Sequence, residues 1–203
     1  MRTRLIYPLA IVATLALFTS AGLSQQRADS KKLPNFHEVN SKLYRGAQPA
    51  AGGVQQLAGL GIKTIVNLRG QGEGVRKEEA EARAAGLRFF SIPFDRWGRP
   101  DDAEVKQVLS IIDTPEYQPV FVHCKQGVDR TGTVIAIYRI THDGWTSEQA
   151  KAEAKRYGMH PWERGMKNYI RDYYLRYIQE KKPAVQKSFW HADLRARALR
   201  KSC

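Results

Sequence analysis

Sulfur is scarce in this chain, with two cysteines and three methionines in 203 residues. Cys124 lies mid-chain and Cys203 is the last residue, a pair that does not form a disulfide framework. A thiol at Cys124 is therefore read as functional rather than structural. Acidic residues are also in short supply, 20 against 33 Lys and Arg, for a net charge of +13. Residues 163–203 hold eleven Lys or Arg against four Asp or Glu. That balance attracts phosphorylated substrates, an anionic membrane surface or nucleic acid, the last the least expected of the three, and a solvated helix face accounts for it equally well. Internal repeats, low-complexity tracts and a second-domain linker are all lacking. One domain with a sizeable core is expected.

The apolar stretch from Leu5 to Phe18 is too short for a comfortable membrane span. It follows Arg2 and Arg4 and precedes the small residues Thr19, Ser20 and Ala21. This is the layout of a secretory signal peptide over residues 1–21, with cleavage as late as Ser24 as an alternative. The mature protein is expected to be exported, periplasmic or secreted. An uncleaved N-terminal anchor is the competing reading. Residues 25–32 form a polar linker, and 183–203 a basic C-terminal helix.

Between those ends, strand and helix signals alternate. "FHEVNSKLYRGAQP" is a strand pair, 50–60 a short helix, "IKTIVNLR" a buried strand and 75–85 a helix closed by Gly86. "LRFFSIPF" is the next strand and "DRWGRP" a loop, followed by a helix to Asp113. "PVFVH" is a third buried strand, with a helix after it over 131–143. Thr146 and Gln149 have capping-box spacing for another helix. Residues 162–182 are a further helix. Trp97, Trp145, Trp162 and the tyrosines at 169, 173, 174 and 177 are assigned to packing. The alternation predicts an α/β fold with a mainly parallel central sheet flanked by helices. Ligands then sit at the carboxyl ends of the strands, where "CKQGVDR" lies.

A turn of this length ahead of a helix aims several backbone N–H groups, from Lys125, Gln126, Gly127 and Val128, into one concavity. A tetrahedral dianion such as phosphate fits that geometry. Arg130 supplies a planar fork for two of its oxygens. Gly127 lets the backbone turn without a Cβ in the way. The same positive field favours the thiolate of Cys124. Together these residues point to covalent phosphoryl transfer through a cysteinyl-phosphate.

"HCKQGVDRTG" resembles the His-Cys-five residues-Arg-Thr/Ser-Gly signature of the cysteine-based protein tyrosine phosphatase superfamily, in its dual-specificity branch. "LYRGAQP" and "IPFDRWGRP" are similar to stretches of small bacterial and plant-type members, so the resemblance covers residues 33–180. It implies Cys124 as nucleophile, Arg130 as phosphate clamp, and Thr131 as a hydroxyl that hydrogen-bonds the sulfur. It also implies His123 as a residue that orders the loop, and no metal or organic cofactor. For the proton donor it offers Asp95, on the loop upstream of Cys124. Asp129 competes: an acid immediately before the arginine resembles myotubularin-type and Sac-type phosphoinositide phosphatases. Lys125 resembles the lysine that follows the cysteine in phosphatase-and-tensin-type lipid phosphatases. Its plainer reading is a solvated side chain, and that of Asp129 a loop stiffener. Phosphorylated protein and phosphorylated lipid or inositol thus both remain as substrates. A silent phosphate-binding pseudophosphatase, a sulfur-transfer or arsenate-reducing enzyme, and a membrane-surface module are the rival classes.

Overall fold

The computed structural model describes residues 30–95 and 98–181. The leader-like segment, the basic tail with Cys203, and Arg96 and Trp97 lie outside the described residues. Residues 30–32, expected as the end of a linker, are helical.

Five strands form one sheet: β1 (His37–Asn40), β2 (Leu43–Ala47), β3 (Thr64–Asn67), β4 (Arg88–Ser91) and β5 (Val120–Cys124). Their spatial order is β1-β2-β5-β3-β4. β1 runs antiparallel to β2, and all other pairs are parallel. Two of the three inner strands, "VFVHC" and "TIVN", are buried at every residue. Continuous apolar, β-branched runs of this kind belong to parallel strands covered on both faces.

The helices are α1 (Gly53–Gly59), α2 (Glu73–Ala84), α3 (Asp102–Asp113), α4 (Asp129–His142), α5 (Ser147–Arg156) and α6 (Arg164–Lys181). Asp101 and Glu104 cap the start of α3 reciprocally, and Thr146 and Gln149 do the same for α5 as expected. One apolar cluster joins Val120 and Val122 to α3, α4, α5 and α6, while a second joins Phe121 and Ile65 to Leu57 and Ala82. Helices therefore cover both faces of the sheet.

Strand alternation decides which way the functional residues of β5 point. Val120, Val122 and Cys124 share the face that packs on α4, and Phe121 and His123 stack together on the other, rings 5.5 Å apart. The tyrosine stripe of α6 does pack as expected: Tyr169 is buried, with Tyr173, Tyr174 and Tyr177 against the larger cluster. At the other end of α6, a Cβ on Gly165 would lie 2.8 Å from the Gly98 carbonyl carbon. Helix and upstream loop thus touch backbone to backbone. Arg99–Asp172 and Arg176–Asp102 ion pairs, 2.6 and 2.9 Å, close the same seam.

Candidate active site

The chain leaves β5 at Cys124, turns through four residues and enters α4 at Asp129. The carbonyls of that turn are held from behind. Lys125 O accepts from Gln48 N at 3.3 Å, and Gln126 O from Asn35 Nδ2 at 3.2 Å. Gly127 O accepts from Asn35 Nδ2 at 3.3 Å and from Arg45 Nη2 at 2.9 Å. In a planar trans peptide the following N–H points the opposite way. The N–H groups of Gln126, Gly127 and Val128 are thereby turned away from β2, and none has an acceptor among the described residues. Gly127 is needed for two reasons. Its φ is +72°, and a Cβ would lie 2.4 Å from Gly46 C and O.

Arg45 is the buried cation behind the turn, 1 % exposed. Besides Gly127 O it meets the Tyr157 ring, 4.4 Å from guanidinium carbon to centroid, and its Nε and Nη1 have no hydrogen-bond partner among the described residues. Burial pushes its pKa down, while Glu153, Tyr157 and Cys124 favour the charged form. His123 points to the opposite face. Its Nδ1 lies 3.2 Å from Cys124 O, and its Nε2 meets Glu78 Oε1 at 2.7 Å without hydrogen-bond alignment. Glu78 in turn holds Arg69, whose Nε donates to Asn67 Oδ1 at 2.9 Å. A chain of polar groups from β3 and α2 thus reaches the backbone of the cysteine.

A cavity of about 290 Å³ opens over the turn, lined by Cys124, Lys125, Gln126, Val128, Asp129 and Arg130, and by His160, Trp162 and Glu163 from the α5–α6 connection. Arg130 Nη1 donates to Leu68 O at 3.0 Å, which anchors the guanidinium at the end of β3. Asp129 accepts from His160 N at 2.9 Å and pairs with His160 Nδ1 at 2.7 Å. This ties the far wall to the first turn of α4. His160 stacks on Trp162, centroids 4.6 Å apart, and Lys167 Nζ donates to His160 O at 2.7 Å. Glu163 is 5 % exposed. Burial and the neighbouring Asp129 push its pKa up.

Residues 13–172 match the family described as DSP-PTPase phosphatase fused to NAD+ kinase. The chain belongs to that family. It is 37 % identical over 126 residues to the dual specificity protein phosphatase TpbA of Pseudomonas aeruginosa, covering 61 % of this chain and 55 % of that protein. It is 27 % identical over 109 residues to inositol diphosphatase DSP4 of Arabidopsis thaliana, covering 52 % and 54 %. The chain spans about half the length of these curated relatives. A crystal structure of P. aeruginosa TpbA superposes with a TM-score of 0.59 at 33 % identity, covering 68 % of this chain and 84 % of that one. A variant of it in complex with phosphotyrosine gives 0.59 at 32 %, covering 70 % and 88 %.

Within this dual-specificity-type domain, the structure gathers Cys124, Lys125, Gln126, Gly127, Val128, Asp129 and Arg130 at one place, with His123 behind them. Asp95, offered as the proton donor, is exposed and is not among the residues lining the cavity. Two expectations need correction. Thr131 is buried in α4 with its hydroxyl unpartnered, so the bond to the sulfur is not formed. Trp162, assigned to packing, is 64 % exposed at the cavity mouth, because the chain turns outward there before α6 begins. Sequence reasoning missed His160 and Glu163 altogether. The available signal was "HPWE", a polar and aromatic cluster in the connection between two helices.

Proposed function

We propose that the chain is a cysteine-dependent phosphomonoester hydrolase acting on phosphotyrosine and related protein phosphates. The observation that carries this reading is the turn itself. Unbonded N–H groups and the start of α4 surround the end of β5, where Cys124 sits, and Arg130 lines the same cavity.

Phosphate oxygens are bound by the turn N–H groups and by the free N–H groups of Arg130. Sγ of Cys124 attacks phosphorus, the P–O bond to the leaving group breaks, and that oxygen takes a proton. Water then attacks the cysteinyl-phosphate, releasing inorganic phosphate and regenerating the thiolate. Positive charge fixed behind the turn by Arg45 supports a doubly negative group at its front. The exposed indole of Trp162, braced on His160, offers an aromatic flank for an aryl ester. Lys125, exposed at the rim, supports a second reading, a phosphorylated inositol or lipid headgroup. The leader-like N-terminus supports export.

Without added metal, the protein should hydrolyse a phosphotyrosine peptide faster than a phosphoinositide. Cys124→Ser should abolish turnover yet keep phosphate binding by isothermal titration, because the N–H cradle survives. Full activity in that variant refutes the mechanism, and a preference for the inositol substrate selects the second reading.

A further inference from the structure

Gly127 must lack a Cβ, and a residue without one imposes little on the peptide planes before and after it. Either plane could rotate and present its carbonyl oxygen, rather than its N–H, to a bound phosphate. The orientation is fixed from outside the turn, by Asn35. Its Nδ2 donates to Gln126 O at 3.2 Å and to Gly127 O at 3.3 Å, so one amide pins both peptides. Arg45 shares Gly127 O, but among the described residues Asn35 alone holds Gln126 O.

Asn35 precedes β1 in the left-handed conformation, φ +52°, the one non-glycine residue so placed among the described residues. Such a conformation persists where the surroundings over-determine it. Pro34 O accepts from Ala47 N at 2.9 Å and Lys32 O from Ala50 N at 2.8 Å, which ties the segment to the end of β2. His37 Nε2 donates to Asn35 Oδ1 at 3.1 Å, so the amide keeps its nitrogen toward the turn. The His37 ring packs on Tyr157, centroids 4.6 Å apart, and Arg45 packs on the same ring.

We propose that Asn35 is the positioning residue that aims the Gly127 and Val128 N–H groups at the phosphate. This rests on the phosphatase reading above. With Gln126 O and Gly127 O held behind the turn, the N–H of each following residue points to the front. Donors aimed in advance need no reorientation as charge shifts over the phosphoryl oxygens. Arg45 supports the Val128 N–H as well, so loss of Asn35 falls first on the Gly127 N–H. A peptide that turned over would set the Gln126 carbonyl oxygen where that donor stood, against the negative charge of the phosphate.

The test uses Asn35→Gly, which keeps the left-handed backbone and removes the amide, and Asn35→Asp, which keeps the shape and replaces the donor by an acceptor. On phenyl phosphate, kcat should fall about tenfold or more in Asn35→Gly, with KM within about threefold. Asn35→Asp should lose more, because its carboxylate faces two carbonyl oxygens. The urea midpoint of Asn35→Gly should stay within about 0.5 M of wild type, since relief at φ offsets the lost hydrogen bonds. Inorganic phosphate should shift the Gly127 amide resonance of wild type and leave that of either variant unmoved, a reading that needs no turnover. In folded Asn35→Gly, kcat within about twofold of wild type overturns the proposal whatever the midpoint. So does a Gly127 shift as large as in wild type. Should Asn35→Gly not fold, Asn35→Asp is judged by the same two readings. Either failure leaves the Cys124 mechanism standing, whereas wild type inactive on phenyl phosphate fails that mechanism, and the amide shift still decides the role of Asn35.

Discussion

Gly127→Ala offers the sharpest test of how the turn is held. The left-handed conformation at φ +72° costs a residue with a Cβ about 1–2 kcal/mol. A second cost comes from space. The new Cβ would lie 2.4 Å from Gly46 C and O and 2.6 Å from Ala47 N, where ordinary contact begins at 3.4 Å. Backbone, not a flexible side-chain tip, occupies that position, so the turn and the end of β2 must part by about an ångström. Overpacking on this scale costs about 1–3 kcal/mol. Gly144 is the matched control: its φ is +69° and nothing lies within 4 Å of its Cβ position. Gly144→Ala should therefore cost only the conformational part. Urea melts should place Gly127→Ala about 2 kcal/mol below Gly144→Ala, and thermal scans about 4–8 °C below it. Activity on an aryl phosphate, measured where both variants are folded, should drop at least about tenfold in Gly127→Ala, because the N–H groups move with the turn. It should not change in Gly144→Ala. Equal destabilisation of the two variants would show that the approach of β2 does not set the turn.

Arg130→Lys removes the planar fork and cannot hold Leu68 O and two phosphate oxygens together. It should lower kcat about 100-fold or more, and a near-normal rate would place Arg130 outside the chemistry. Asp129→Asn keeps an acceptor for His160 N but removes the charge facing its ring. It should lower stability by about 1–2 kcal/mol and give a modest rate loss that is the same for good and poor leaving groups. A loss confined to poor leaving groups would make Asp129 the proton donor instead.

The sheet was legible because β3 and β5 are buried at every residue, and "VFVHC" and "TIVN" carry that burial as apolar and β-branched runs that give way to a polar residue only near their ends. The start of α4 was less so. The expected start at Thr131 lies two residues late, since the helix begins at Asp129 behind Val128, whose side chain makes no cap. With no Ser, Thr or Asp in the capping position, local chemistry carries no boundary signal. Arg45 sits at full burial within "FHEVNSKLYRGAQP", a charge in a stretch read only as a strand pair. Its reason appears only when β2 is paired with β5, which sets it beside Val122 and beneath the turn. The far wall was illegible for a related reason. Asp129 and His160 are 31 residues apart, and the packing of α5 and α6 on α4 decides that they meet. Periodicity finds faces of helices, not the residues that lie between two of them.

The seam between α6 and the upstream loop has a consequence for how such a chain tolerates evolutionary change. Gly98 adopts φ +116°, and Gly165 must lack a Cβ because the Gly98 backbone occupies its place. The two positions are 67 residues apart in the chain, yet the separation of helix and loop is one quantity that both fix. A lineage that acquires alanine at 165 must first let the loop stand off, and with it the segment that begins at Asp95. Drift at this pair would therefore be coupled, and a substitution neutral in one lineage would be harmful when transplanted alone into another.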